Sequence, residues 1–360
     1  MIFRFFIHYI ILCVFITSCI SQKDYYSLND FRKVKKIDVH THIYNTTDPS
    51  LVEQAITDGF KLICMNVEVP YLPAVDSQKY FVLKQRSNFP DYISWVTSFS
   101  TDHINEEGWA QQQLDYLKNC VDSGAVGVKV WKNIGMTIKG RDSNFIMIDH
   151  PVFDPIFNYM EQHNILLIGH LGEPKNCWLP LDQMTTINDS LYFSEYPQYH
   201  MYLHPRYPSY EEQITATRQL LNKHPKLRFV GAHLASLEWD VDKIAEFLDT
   251  YPKAMVEIAA RVGQLQYQSN KDWHKVRNFF IKYSNRIMYG TDLEAEKSLS
   301  ADETKKRAYE MWLRDWKYFT TNATMSSPFI HEKIQGLALP KKVINKFYYT
   351  NAAARYFNNE

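Results

Sequence analysis

The chain has 360 residues, and its 40 lysines and arginines balance 40 aspartates and glutamates to a formal net charge of zero. That balance gives no sign of the basic excess that nucleic acid or a polybasic membrane contact calls for. Five cysteines with no CxxC spacing exclude a disulfide scaffold, and Cys64 and Cys120 sit in apolar contexts that suit buried free thiols. An aromatic content of 15% favours a large core and a ring-lined cleft for a small organic or sugar-like molecule.

Met1-Ile2-Phe3-Arg4 gives a short positive start, apolar residues follow through position 16, and Ile16-Thr17-Ser18-Cys19 closes the segment. This is the layout of a secretory signal peptide, and its last four residues resemble a bacterial lipobox. Cleavage would fall before Cys19, with lipid attached to that residue. The expected organisation is therefore a lipoprotein signal at 1–18, a tether at 19–35 and one folded domain at 36–360, held at the bacterial cell envelope by the lipid alone. A plain secretory peptide or an uncleaved anchor is the alternative, although the apolar stretch is short for a spanning helix.

From residue 36 onward short apolar runs alternate with amphipathic stretches, with no Pro/Gly/Ser-rich linker between them. Eight runs read as strands: 36–42, 60–67, 92–99, 125–131, 165–170, 227–233, 254–259 and 286–292. Between them the period turns helical, as at Ala110, Leu114, Leu117 and Val121, at Val241, Ile244, Ala245 and Leu248, and at Val276, Phe279, Phe280 and Tyr283. Eight strands alternating with helices predict an α/β fold, a closed (β/α)8 TIM barrel. No GxGxxG follows the first strand, which removes the usual sign of an open doubly wound sheet.

Two long insertions interrupt the alternation. The first, at about 171–210 after the fifth strand, carries Trp178, Tyr192, Phe193, Tyr196, Tyr199, Tyr202, Tyr207 and Tyr210 and reads as a lid or pocket wall. The second, at about 293–330 after the eighth strand, is richer in charge and reads equally well as a solvated excursion.

The chemistry gathers at strand ends. His40-Thr41-His42 places two imidazoles on one face of the first strand. The fifth strand ends in His170, the sixth in His233 and the eighth in Asp292, each preceded within two positions by glycine. A parallel barrel brings these ends to its C-terminal face, where the five side chains can converge. Three imidazoles and a carboxylate suit Zn2+, with Fe2+, Mn2+ or Co2+ as alternatives.

Asp38-Val39-His40-Thr41-His42, the strand ends at His170, His233 and Asp292, and the closing Gly336-Leu337-Ala338-Leu339-Pro340 with Asn351-Ala352-Ala353 resemble the amidohydrolase superfamily, in its amidohydrolase 2 branch. Relatives there include aminocarboxymuconate-semialdehyde decarboxylase, hydratases and lactonases. The resemblance implies His40, His42, His170 and Asp292 as metal ligands, and His233 with Asp292 as the catalytic pair. In binuclear relatives His233 would bind a second metal and a fourth-strand lysine can be carboxylated to bridge the two, so Lys129 tests nuclearity; one ion is expected in preference to two, because carboxylation cannot be read from sequence. Otherwise Lys129 stays an ammonium and pairs with a substrate carboxylate or a site acid.

Arg261, just past the seventh strand, could clamp a substrate carboxylate or form a surface salt bridge. Glu257 could support a ligand or be a satisfied core acid, Glu173 could reach the mouth although loop acids are usually solvated, and Lys132 is expected to be solvated. His204 reads as structural, and the remaining histidines receive no chemistry.

The expected activity is metal-dependent hydrolysis of an ester, lactone or amide of a small organic or sugar-derived substrate. The alternatives are a metal-dependent nonoxidative decarboxylase and a non-catalytic binding lipoprotein. No nucleic-acid partner is expected.

Overall fold

The computed structural model describes residues 24–357. The signal and the lipid-attachment site at Cys19 lie outside them. Among the described residues no helix is long and apolar enough to cross a membrane.

Nine parallel strands build one sheet: β1 Lys36–Ile43, β2 Phe60–Met65, β3 Ile93–Thr97, β4 Ala125–Val130, β5 Leu166–Gly169, β6 Arg228–Gly231, β7 Met255–Glu257, β8 Ile287–Met288 and β9 Leu293–Ala295. They are ordered β8-β7-β6-β5-β4-β3-β2-β1-β9, each of the first eight beside its sequence neighbour. The ring closes where the chain after β8 meets β1. There Val39 N donates to Tyr289 O at 3.0 Å and Asp292 N to His40 O at 2.8 Å, and β9 pairs in parallel with β1, Thr41 opposite Leu293. This is the expected α/β TIM barrel.

The continuous eighth strand expected at 286–292 is replaced by two short ones. Pairing with β7 is confined to Ile287 and Met288. The chain then turns through Asp292, at φ 71°, and resumes as β9 against β1. Gly290 passes tightly between two site residues: a Cβ on it would lie 3.0 Å from Glu257 Oε2 and 3.1 Å from His40 Cβ.

The expected helices form at Trp109–Asp122, Val241–Thr250 and Trp273–Lys282. Asp240 and Asp272 cap the last two by accepting from the amides of Asp242 and Lys275, which satisfies donors that a helix start leaves free. Their buried stripes, such as Val241, Ile244, Phe247 and Leu248, pack on the outside of the sheet. Inside the barrel a separate apolar core joins Ile37, Val39, Ile63, Met65, Val96, Leu166, Ile168, Val230 and Met288, plugged by Ala352 and Tyr356. Asn351 fastens that plug through its amide to Ser284 O and Ile287 O, at 2.7 and 2.8 Å.

Reading the second insertion as a solvated excursion is corrected. It contains β9 and the helix Ala301–Thr320, which buries Trp312, Trp316 and Phe319. After that helix, β10 Thr324–Met325 and β11 Ile334–Gln335 form an antiparallel pair.

Candidate metal centre

Simple alternation does not bring His40 and His42 into the barrel. Ile37 and Val39 point into the interior core, so strict period-two alternation would turn His40 and His42 outward. Between the pairs Asp38–Leu62 and Thr41–Cys64, however, β1 spends two residues, Val39 and His40, opposite the single Ile63. This bulge reverses the facing, and Thr41 accordingly meets Cys64 Sγ on the outer side at 3.4 Å. A second bulge sets Val126 and Gly127 of β4 against Val96 of β3 and carries Lys129 inward.

His233 arrives by another route. From His233 to Ser236 four consecutive non-glycine residues have positive φ, at 111°, 47°, 54° and 56°. Such a run is costly for L-residues, and it turns the imidazole back over the barrel.

The side chains meet closely. His42 Nε2 lies 3.1 Å and His40 Nε2 3.2 Å from the same oxygen, Asp292 Oδ1, and Lys129 Nζ lies 2.6 Å from His40 Nε2. His233 sits 4.6 Å from the His40 ring and 4.1 Å from the His170 ring, centroid to centroid. His40, His42, His170, His233 and Lys129 are all buried. Two groups bring ligand atoms within 4.8 Å of one another: His40, His42 and Asp292, and His40, His233 and Glu257. His170 belongs to neither group and reaches the centre through its contact with His233.

The second nitrogen of three imidazoles is tied back. His40 Nδ1 pairs with Glu257 Oε1 at 2.9 Å, His42 Nδ1 with Met65 O at 2.7 Å, and His233 Nδ1 with Ala259 O at 2.9 Å. An Nδ1–H donated to an oxygen leaves Nε2 as a lone-pair donor, the arrangement by which proteins orient histidine ligands. The Nε2 atoms of His170 and His233 are buried without a hydrogen-bond partner among the described residues. Neutral nitrogen donors beside a carboxylate therefore fit a divalent cation.

The electrostatics agree. Burial holds His40, His170 and His233 well below the ordinary histidine range, helped at His40 by Lys129 and at His170 by His233. Burial alone would raise Asp292; a charged His40 and an Nε2–H on His42 would hold the carboxyl well below its usual range, and with both rings in the Nε2-lone-pair form a cation between them would take over that part. Burial pulls Lys129 down to about 8 against the attraction of Asp292 and Glu257.

Expectation and structure differ at Lys132 and Glu173 and at Arg261, and agree at Glu257. Lys132 is buried and ion-paired with Glu173, itself buried, and the Lys132 ammonium lies 5.3 to 5.7 Å from the rings of Trp131, Tyr199 and Tyr192. Folding of the lid over the end of β4 excludes the water both charges were expected to keep. Arg261 forms no ion pair among the described residues. It is buried, and its Nη1 donates to Ala260 O at 3.1 Å. Glu257 is the carboxylate that orients His40.

Asp38 stands at the head of the motif Asp38-Val39-His40-Thr41-His42. Its Oδ1 accepts from the amides of His40 and Thr291, and its Oδ2 from Thr291 Oγ1 and Trp312 Nε1, at 2.6 to 3.2 Å. It thus ties β1 to the turn carrying Asp292. An acid two residues before His-x-His was the available signal.

No curated protein matches the chain. Among solved structures it is similar to a 2,6-dihydroxybenzoate decarboxylase complexed with 2,6-dihydroxybenzoate, at TM-score 0.50 and 14% identity over 90% of this chain and 98% of that one. It is also similar to a protein described as amidohydrolase II, at 0.48 and 13% over 89% and 99%, and to a 4-oxalomesaconate hydratase from Rhodopseudomonas palustris, at 0.44 and 11% over 89% and 95%. At such identities the likeness concerns the fold. The family model Amidohydro_2, described as amidohydrolase, matches residues 104–357, which takes in every barrel strand from β4 onward. The chain belongs to the amidohydrolase family.

Proposed function

We propose that the protein is a metal-dependent hydrolase acting on an ester, lactone or amide of a small organic or sugar-derived substrate. The observation that carries this reading is the pair of tied-back imidazoles, His40 and His42, whose Nε2 atoms both face Asp292 Oδ1. His40, His42, His170 and Asp292 would hold one divalent ion, Zn2+ by the donor set or Fe2+, Mn2+ or Co2+ in its place. Such an ion supplies a Lewis acid that polarises a carbonyl and acidifies water.

This chain's residues do the rest. Asp292, kept anionic, accepts the proton of the attacking water. His233 is neutral, with Nδ1–H engaged by Ala259 O, and offers its Nε2 to move that proton to the leaving group. Lys129 and Arg261 orient a substrate carboxylate. The lid, whose Cys177, Phe193 and Met201 pack with Met136 in a small core, limits the water that reaches the centre.

The same two cations support a second reading, nonoxidative decarboxylation of a carboxylate substrate. Metal-reconstituted protein incubated with lactones, esters and aromatic carboxylates separates the two: acid production supports hydrolysis, and release of CO2 supports the lyase. Metal content, compared between the natural protein and a His40→Ala/His42→Ala variant, tests the centre itself; equal metal in both refutes it. The lipid anchor is part of the proposal, and loss of membrane association in Cys19→Ala is its test.

A further inference from the structure

Around the start of the helix Val262–Lys271, four polar atoms are buried without a hydrogen-bond partner among the described residues: Arg261 Nε, Gln264 Oε1, Glu238 Oε2 and Asn188 Oδ1. Arg261, Gln264 and Glu238 are 7%, 2% and 1% exposed. Each side chain is fixed through its other polar atoms. Gln264 Nε2 donates to Asp189 Oδ2 at 2.7 Å, Asn188 Nδ2 to Asp189 Oδ1 at 3.0 Å, and Lys175 N to Glu238 Oε1 at 2.8 Å.

The four form one neighbourhood. Gln268 Nε2 donates both to Glu238 O, at 2.6 Å, and to Gln264 O, at 3.2 Å. Asp189 joins Asn188 to Gln264, and a Cβ on Gly263 would lie 3.2 Å from Asn188 Oδ1. Arg261 stands two residues after Ala259, whose carbonyl holds His233 Nδ1, and Glu238 and Gln264 are bonded to Lys175 and Asp189 of the lid, so the cluster borders the metal centre under lid residues 175–189.

Buried polar atoms are ordinarily paired. Here three acceptors lack donors and one guanidinium N–H lacks an acceptor, all held by bonds that stop them turning away. The complementary molecule presents several O–H groups and an anionic oxygen.

We propose that Arg261, Glu238, Gln264 and Asn188 form a recognition subsite for a hydroxylated carboxylate, Arg261 taking the carboxylate and the three acceptors its hydroxyls. This rests on reading the adjoining centre as the place of reaction, and it narrows the substrate to hydroxy acids and their derivatives. An apolar acid would leave three acceptors buried and unpaired, which is how a polar site rejects an analogue lacking its hydroxyls.

The test is calorimetric titration of the full chain with D-gluconate and with hexanoate, which share a charge and differ in hydroxyls, with metal content measured on every sample. Gluconate is expected to bind roughly tenfold more tightly or better. Gln264→Leu should remove most of that preference while leaving hexanoate binding and metal content unchanged. Asn188→Ala, on a less buried lid residue, should weaken gluconate about fivefold and guards against misfolding of the first variant. Arg261→Leu should weaken both acids.

Equal binding of the two acids, or gluconate affinity unmoved by both Gln264→Leu and Asn188→Ala, overturns the proposal and assigns these atoms to internal water. If the His40→Ala/His42→Ala variant keeps its metal while Gln264→Leu still erases the preference, the metal reading fails and the subsite stands.

Discussion

Gly231→Ala should displace His233 without unfolding the barrel. A Cβ built on Gly231 lies 2.9 Å from Ala235 Cα and 3.2 Å from Ala235 N, with the Ala235 methyl closer still, whereas unstrained carbon contacts begin near 3.5 Å. The obstacle is backbone, so no rotamer change relieves it. The left-handed run His233–Ser236 must move, and it is ready to do so because each such residue costs about 1–2 kcal/mol to hold. Overpacking of this kind costs about 1–3 kcal/mol. With an unfolding entropy of about 2.1 cal/mol/K per residue, a chain of this length should lose only roughly 1.5–4 °C in melting temperature. The loss at the centre should be far larger, because His233 gives up its bond to Ala259 O and its place beside His40 and His170. The measurements are thermal unfolding by circular dichroism and turnover of whichever substrate the screen identifies. Adding Ala235→Gly removes the colliding methyl and eases the positive φ, so the double variant should regain part of both losses. If Gly231→Ala keeps the natural turnover, or if Ala235→Gly rescues nothing, the left-handed turn does not position His233.

Three other outcomes follow from the same geometry. Glu257→Gln leaves an amide N–H2 facing either the His40 Nδ1–H or the Ala259 N–H that now converge on the carboxylate. Metal affinity in a chelator titration should fall about 10–100-fold, and an unchanged affinity would deny Glu257 its orienting role. Lys132→Met alone should cost about 3–5 kcal/mol in denaturant unfolding, because it strands the buried Glu173, whereas Lys132→Met/Glu173→Leu should recover most of that loss. A double variant as unstable as the two singles combined would contradict this. Burial lowers Lys36 from its ordinary value to about 7, so between pH 7 and 10.5 the unfolded chain binds more protons than the native one. This group's contribution therefore makes stability rise with pH across that window and is most unfavourable below pH 7. Lys36→Met should flatten the rise in a series of melting curves, and a parallel pH profile would remove Lys36 as its source.

The residue types of the centre and their strand ends were legible because apolar runs closing on histidine or aspartate signal a parallel barrel strand and its mouth together. Their facing was not. Alternation correctly puts His40 and His42 on one side, but which side depends on two residues of β1 opposing one of β2. Nothing in Val39-His40 advertises that bulge. His233 is harder still, because a run of four left-handed residues is expected of glycine or asparagine, and the sequence there is His-Leu-Ala-Ser. Its only trace is Gly231, which a strand reading takes as close packing. Lys132 and Glu173, 41 positions apart, are joined only when the lid folds, so each alone reads as solvated. Local rules thus fail at the bulge, at the left-handed turn and at the break before β9. Each failure delivers one or more groups to the same few ångströms: the two first-strand imidazoles, His233 and Asp292. Regular strands would have sent some of these side chains to the helix-facing side, so the irregularities are what make a barrel of ordinary α/β pattern into a site.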